Sequence, residues 1–130
     1  MRLFLIRHAE AAPGEPDAQR TLTPHGKEQA RQLGARFVRK GIKPDAIFSS
    51  PLLRARETAD GIAAALGVES EPDERLAPGA TADDVRAVVM GRGETVVVVG
   101  HQPDCGQICA AIDGGAPPEF PAGGVRELEL

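Results

Sequence analysis

The run Thr95-Val96-Val97-Val98-Val99 constrains the fold more than any other stretch of the chain. A continuous β-branched sequence has no polar face, so it suits a central strand covered on both sides rather than one with a side in water. A sheet covered twice needs helices above and below it, and an α/β architecture follows as the expectation. The strand ends in Gly100-His101-Gln102-Pro103, and a second apolar run, Leu3-Phe4-Leu5-Ile6, ends in Arg7-His8-Ala9-Glu10. In open α/β sheets ligands sit beyond the carboxyl ends of the strands. An Arg beside a His at such an end places a fixed positive fork next to a side chain that can be a neutral nucleophile near pH 7. Taken alone, that dipeptide is more often a surface Arg and a capping His than a site.

At 130 residues the chain is expected to form one domain over 1–130, large enough to bury a core without staples. Its apolar runs are far too short to span a bilayer, and the N-terminus lacks a basic region followed by a signal-type core. A cytoplasmic location is the expectation, with no membrane partner. The net charge of −4 and the absence of Trp and Tyr argue against nucleic-acid binding. Any anion site must then be a local concentration of Arg rather than a basic surface. Cys105 and Cys109, four apart in an expected helix, share a face but match neither a redox pair nor a zinc set, and read as thiols filling the core.

In chain order, the breaker-rich segment from Ala11 to Asp17 reads as an exposed loop leading to Arg20. Thr23 caps a helix with Pro24 in its first turn, running to about Lys40 with Ala30, Leu33, Phe37 and Val38 at helical spacing. A strand over Asp45–Ser50 is followed by Pro51 and a helix carrying Ala55, Ala59, Ile62 and Ala63 on one side, stopped by Gly67. Arg54 lies in that helix's first turn, where amide dipoles add to its charge. A brief strand near Val68–Glu71, a helix opened by a Thr81/Asp84 capping pair, the Val-rich strand, a helix through Ile108 and Ile112, and a peripheral strand over Val125–Leu130 complete the chain. Strands alternating with helices imply a three-layer α/β/α sandwich with a mainly parallel sheet. Arg7, His8, Arg54 and His101 then lie just past three strand ends and can converge in one crevice.

These residues also carry a resemblance. Leu5-Ile6-Arg7-His8-Ala9-Glu10-Ala11, Arg20-x-Leu22-Thr23-x-x-Gly26, Ser50-Pro51-Leu52-Leu53-Arg54-Ala55-x-x-Thr58 and Val98-Val99-Gly100-His101-Gln102-Pro103 resemble, in order, the signature of the histidine phosphatase superfamily. The short chain and the phrase around Arg20 are most similar to its compact SixA-like branch of phosphohistidine phosphatases. The resemblance implies a phosphoglycerate mutase-like fold, His8 as the nucleophile taking the phosphoryl group, Arg7 and Arg54 gripping phosphate oxygens, His101 as the second pocket histidine, and Arg20 as an additional phosphate-binding residue. Ala9 stands where many members carry Gly, a substitution that compact members tolerate.

The chemistry can be argued without the resemblance. Phosphoryl transfer needs an in-line nucleophile and neutralised equatorial oxygens, which a His and three Arg supply; no metal or other cofactor is expected. The leaving group separates the substrate classes. An alkoxide leaving group benefits from a carboxylic acid donor, whereas imidazole, with a reference pKa of about 6.5, hardly needs one. Among the acids between the second Arg and second His motifs, Glu74, Asp83 and Asp84 read as solvated loop and helix cap. The expected function is therefore a metal-independent phosphatase acting on phosphohistidine in a protein and releasing inorganic phosphate, as a monomer. A small-molecule phosphomonoesterase, for sugar or nucleoside phosphates with Glu74 as donor, and a non-catalytic phosphate-binding module are the alternatives. Glu10 is expected to buttress the loop after His8, while Arg56, Glu57 and His25 read as solvated neighbours.

Overall fold

A computed structural model describes residues Met1–Leu130. Five strands form one sheet: β1 (Arg2–Arg7), β2 (Ala46–Ser49), β3 (Ser70–Pro72), β4 (Thr95–Gly100) and β5 (Val125–Glu129). Their order is β3-β2-β4-β1-β5. All neighbours are parallel except β5, which runs antiparallel to β1. The valine run is thus the middle of the sheet, flanked by β2 and β1. Val96 through Val99 are each no more than 1% exposed. Burying each Val is worth roughly 1.5–3 kcal/mol relative to leaving it in water.

Four helices cover the sheet: α1 (Pro24–Arg39), α2 (Leu53–Leu66), α3 (Ala82–Val89) and α4 (Asp104–Asp113). Alternation along the strands sorts the side chains into two cores. Leu3, Leu5, Phe48, Val96 and Val98 pack with Val85 and Val89 of α3 and Cys105, Ile108 and Cys109 of α4. Phe4, Ile6, Ile47, Val97 and Val99 face the other way, toward Leu33 and Phe37 of α1 and Ala55, Ala59 and Ile62 of α2. This is a three-layer α/β/α sandwich. On the α1–α2 side the helix backbones approach closely: a Cβ on Gly34 would lie 2.8 Å from that of Ala65, and one on Gly61 2.8 Å from that of Ala30.

The helix boundaries follow local chemistry. Thr23 caps α1 by accepting the Gly26 N–H, and Thr81 and Asp84 form a reciprocal capping box on α3. Gly67, in the left-handed region with φ 68°, ends α2. Val38 departs from the sequence expectation: it lies about 100° around the helix from Phe37 and is 53% exposed. Cys105 and Cys109 are buried free thiols, and burial pushes the Cys105 thiol up to about 12. No helix is long and apolar enough to cross a membrane.

Candidate active site

β1 and β4 run side by side with Arg7 in register with Gly100, so the residues that follow them, His8 and His101, emerge at the same edge of the sheet. Their ring centroids are 5.3 Å apart in an edge-on arrangement. His8 Nδ1 lies 2.8 Å from the Ala9 carbonyl oxygen, which can only accept, so Nδ1 carries the proton and Nε2 keeps its lone pair. The backbone around it is tied on several sides. Ala9 N–H donates to the Thr58 hydroxyl on α2 at 3.0 Å, and His8 N–H donates to the Gly100 carbonyl at 2.9 Å. The Gly123 N–H reaches the Arg7 and His8 carbonyls, each at 3.1 Å, from a residue with φ 72° that favours glycine.

Glu10 buttresses this loop, as its sequence position suggests. Its carboxylate accepts from the Thr23 hydroxyl at 2.8 Å and its carbonyl from the Thr23 N–H at 3.0 Å. The N-cap of α1 is therefore also the brace behind His8.

Burial lowers the His8 pKa most; the Ala9 hydrogen bond works against this, and the positive potentials of Arg54, Arg7 and Arg20 lower it further. His101 is 5% exposed, and its Nε2 is hydrogen-bonded to the buried Ser50 hydroxyl at 2.7 Å, at the carboxyl end of β2. Burial first, then His8 and Arg54, push His101 down to about 4. Both imidazoles are thus neutral at physiological pH, His8 with a nitrogen lone pair to offer.

The three arginines are each anchored along one edge. Arg7 Nη1 donates to the Phe120 carbonyl at 2.9 Å, Arg20 Nε to the Ala12 carbonyl at 2.9 Å, and Arg54 Nη1 to the Asp17 carbonyl at 2.9 Å. The Nε atoms of Arg7 and Arg54 are buried without a partner. Buried donors of a charged group are costly to leave unmade, while Nη2 of Arg7 and Nη2 of Arg20 make no hydrogen bond within the chain and are the donors left for an oxyanion. Arg54, with its side chain 8% exposed, is held by α2, whose N-terminal turn also faces this edge.

The structure therefore brings His8, Arg7, Arg54 and His101 to one edge of the sheet, with Arg20 joined through Asp17. Glu74 is exposed in a short 3-10 turn, Glu74–Leu76, and Asp84 is engaged in the α3 cap, while His25 and Arg56 are exposed. Glu57 differs from expectation. Rather than being merely solvated, it accepts from the Thr21 hydroxyl at 2.6 Å and the Leu22 N–H at 2.8 Å, clamping the Arg20 segment onto α2. Two contributors escape the sequence reading. Asp17 carries its signal only as an i, i+3 partner of Arg20. The Phe120–Gly124 segment acts through main-chain groups, which leave no side-chain signature.

Residues 3–78 match the family model of the histidine phosphatase superfamily, branch 1. The chain belongs to that superfamily. An uncharacterized protein of Picosynechococcus sp. is 36% identical over 120 residues, covering 86% of this chain and 73% of that protein. The mitochondrial serine/threonine-protein phosphatase Pgam5 of Drosophila persimilis is 44% identical over 59 residues, 45% of this chain and only 20% of the relative's length. Among solved structures, the protein histidine phosphatase SixA complexed with tungstate superposes with a TM-score of 0.87 at 24% identity, over 100% of this chain and 88% of that one. An Agrobacterium tumefaciens protein assigned as phosphohistidine phosphatase SixA gives 0.83 at 28% identity, over 97% and 89%. The alpha-ribazole phosphatase of Shigella flexneri gives 0.80 at 17% identity, over 100% and 91%, a likeness of fold alone. The phosphoglycerate mutase-like fold in its compact, SixA-like form is thereby shared.

Proposed function

We propose that the protein is a metal-independent phosphohistidine phosphatase that works through a phosphohistidine intermediate on His8. The observation that carries this reading is the tautomer of His8: Nδ1–H is committed to the Ala9 carbonyl, so Nε2 keeps its lone pair in the positive field of Arg54, Arg7 and Arg20. Arg7 and Arg54, with Arg20 beside them, hold the equatorial oxygens and take up charge as the phosphoryl group moves. The Nε2 lone pair forms the new P–N bond in line while the substrate P–N bond breaks; its electron pair stays on the departing ring, which leaves as neutral imidazole because its other nitrogen carries a proton taken up from solvent, and the phosphorylated His8 keeps its Nδ1–H. Water then attacks phosphorus, the P–Nε2 bond breaks, His8 regains its lone pair, and orthophosphate departs after the water gives up a proton to solvent. The arginines do the electrostatic work that a divalent cation does elsewhere.

The choice of a phosphoramidate over an ester rests on the carboxylates. An acid donor to an alkoxide must be protonated and close. Glu74 is exposed, and Asp17, which does reach the arginine cluster, is held below the usual carboxylate range chiefly by hydrogen bonding to Arg20, with Arg54 assisting. It is therefore ionised and cannot donate. The test is a panel of phosphohistidine peptide, alkyl phosphate and aryl phosphate, with and without a chelator. Turnover is expected on phosphohistidine, slow on alkyl phosphate, unaffected by chelator and lost in His8→Ala. Alkyl phosphate turnover that equals it and collapses on Glu74→Gln would reassign the enzyme to small phosphomonoesters.

A further inference from the structure

Asp17 Oδ1 accepts from Arg20 Nη1 at 3.1 Å and Oδ2 from Arg54 Nη2 at 3.2 Å, so one carboxylate spans two of the three pocket arginines. Neither arginine needs it for placement, because each already has a neutral main-chain anchor, the Ala12 carbonyl for Arg20 and the Asp17 carbonyl for Arg54. What the carboxylate adds is charge. With both histidines neutral, three guanidinium groups and one carboxylate leave two net positive charges, the match for a phosphoryl dianion. Asp17 also sits on a short turn, Asp17–Gln19, that buries none of its residues, with its side chain 63% exposed. It can shift its hold on the arginines without disturbing the core, while Nη2 of Arg7 and Nη2 of Arg20, which make no hydrogen bond within the chain, remain for the incoming oxygens.

Resting on the proposed phosphatase activity, we propose that Asp17 is a positioning residue that sets the charge of this pocket. It acts through Arg20 and Arg54 as a resident anion that weakens the hold on phosphate and so limits inhibition by the product. Removing it strengthens binding of substrate and product alike, which lowers KM without raising kcat. A partly exposed unit charge a few ångströms from the anion alters affinity by about threefold to tenfold.

The test is calorimetric titration of the full chain with orthophosphate at low ionic strength, paired with steady-state kinetics on the phosphohistidine peptide. Asp17→Asn and Asp17→Ala should both bind orthophosphate about threefold to tenfold more tightly than wild type. KM should fall in parallel, kcat should not rise, and the gain should shrink as salt is added. Asp17→Glu should restore wild-type affinity. Weaker or unchanged phosphate binding in both neutral variants would overturn the inference while leaving the phosphatase reading intact, since a carboxylate needed only for geometry would show that loss. A wild-type chain that binds no orthophosphate would instead overturn the phosphatase reading and the inference with it.

Discussion

The hydroxyl of Thr58 accepts the Ala9 N–H at 3.0 Å and itself donates to the Arg54 carbonyl at 2.8 Å, so a single buried side chain couples the residue after His8 to the turn of α2 that carries Arg54. The fourth residue after Arg54 in the motif is thus explained by a hydrogen bond and not by packing alone. Thr58→Val keeps the shape and removes both bonds, leaving the Ala9 N–H buried without an acceptor. Such a loss costs about 1–3 kcal/mol. Urea unfolding should show that destabilisation, and, on the proposed role of His8, kcat should fall about tenfold or more as its imidazole is displaced. Thr58→Ser should retain most of both; a valine variant with wild-type stability and turnover would show the coupling to be unimportant.

His101 gives a pH prediction with a definite sign. Its folded pKa lies near 4, below the ordinary 6.5, and that of His8 is also lowered, each mainly by burial. As pH falls below about 6.5 the unfolded chain takes up protons that the folded chain refuses, so these groups lower stability progressively down to about pH 4. Above pH 7 both states are neutral and the contribution vanishes. NMR titration of the imidazole C–H resonances should place the His101 midpoint near 4. A midpoint at or above 6.5 would mean that burial does not govern the site.

Gly26 is fixed by a close approach. A Cβ there would lie 2.0 Å from the Glu10 carbonyl oxygen, a main-chain atom that also accepts the Thr23 N–H. Overpacking of this kind costs about 1–3 kcal/mol. Gly26→Ala is expected to lower stability by that amount and to reduce activity by pushing the loop behind His8. An alanine variant with an unchanged melting temperature would count against so tight a contact.

Much of this arrangement is legible in the residues. The valine run announces a doubly covered central strand, and the alternation of Leu3/Leu5 against Phe4/Ile6 divides the two cores once that sheet is assumed. The gathering of His8, Arg7, Arg54 and His101 at one sheet edge is legible because each motif follows a strand or opens a helix, where side chains are aimed by the backbone itself. What stayed hidden is carried by main-chain partners distant in sequence. The Phe120 carbonyl that orients Arg7 lies 113 residues away, and any residue type offers a carbonyl. Glu57 and Asp17 are side chains, but charged residues near Arg and Thr usually mean only a solvated surface, so their partners become apparent only in three dimensions.

The proposed nucleophilic role of His8 can be tested directly by rapid-quench labelling with a substrate carrying radioactive phosphate. The chain should accumulate one acid-labile, alkali-stable phosphoryl group, mapped to Nε2 of His8, that chases to orthophosphate and is absent in His8→Ala. Release of phosphate at the wild-type rate by the His8→Ala variant, or a label found on any other residue, would contradict it.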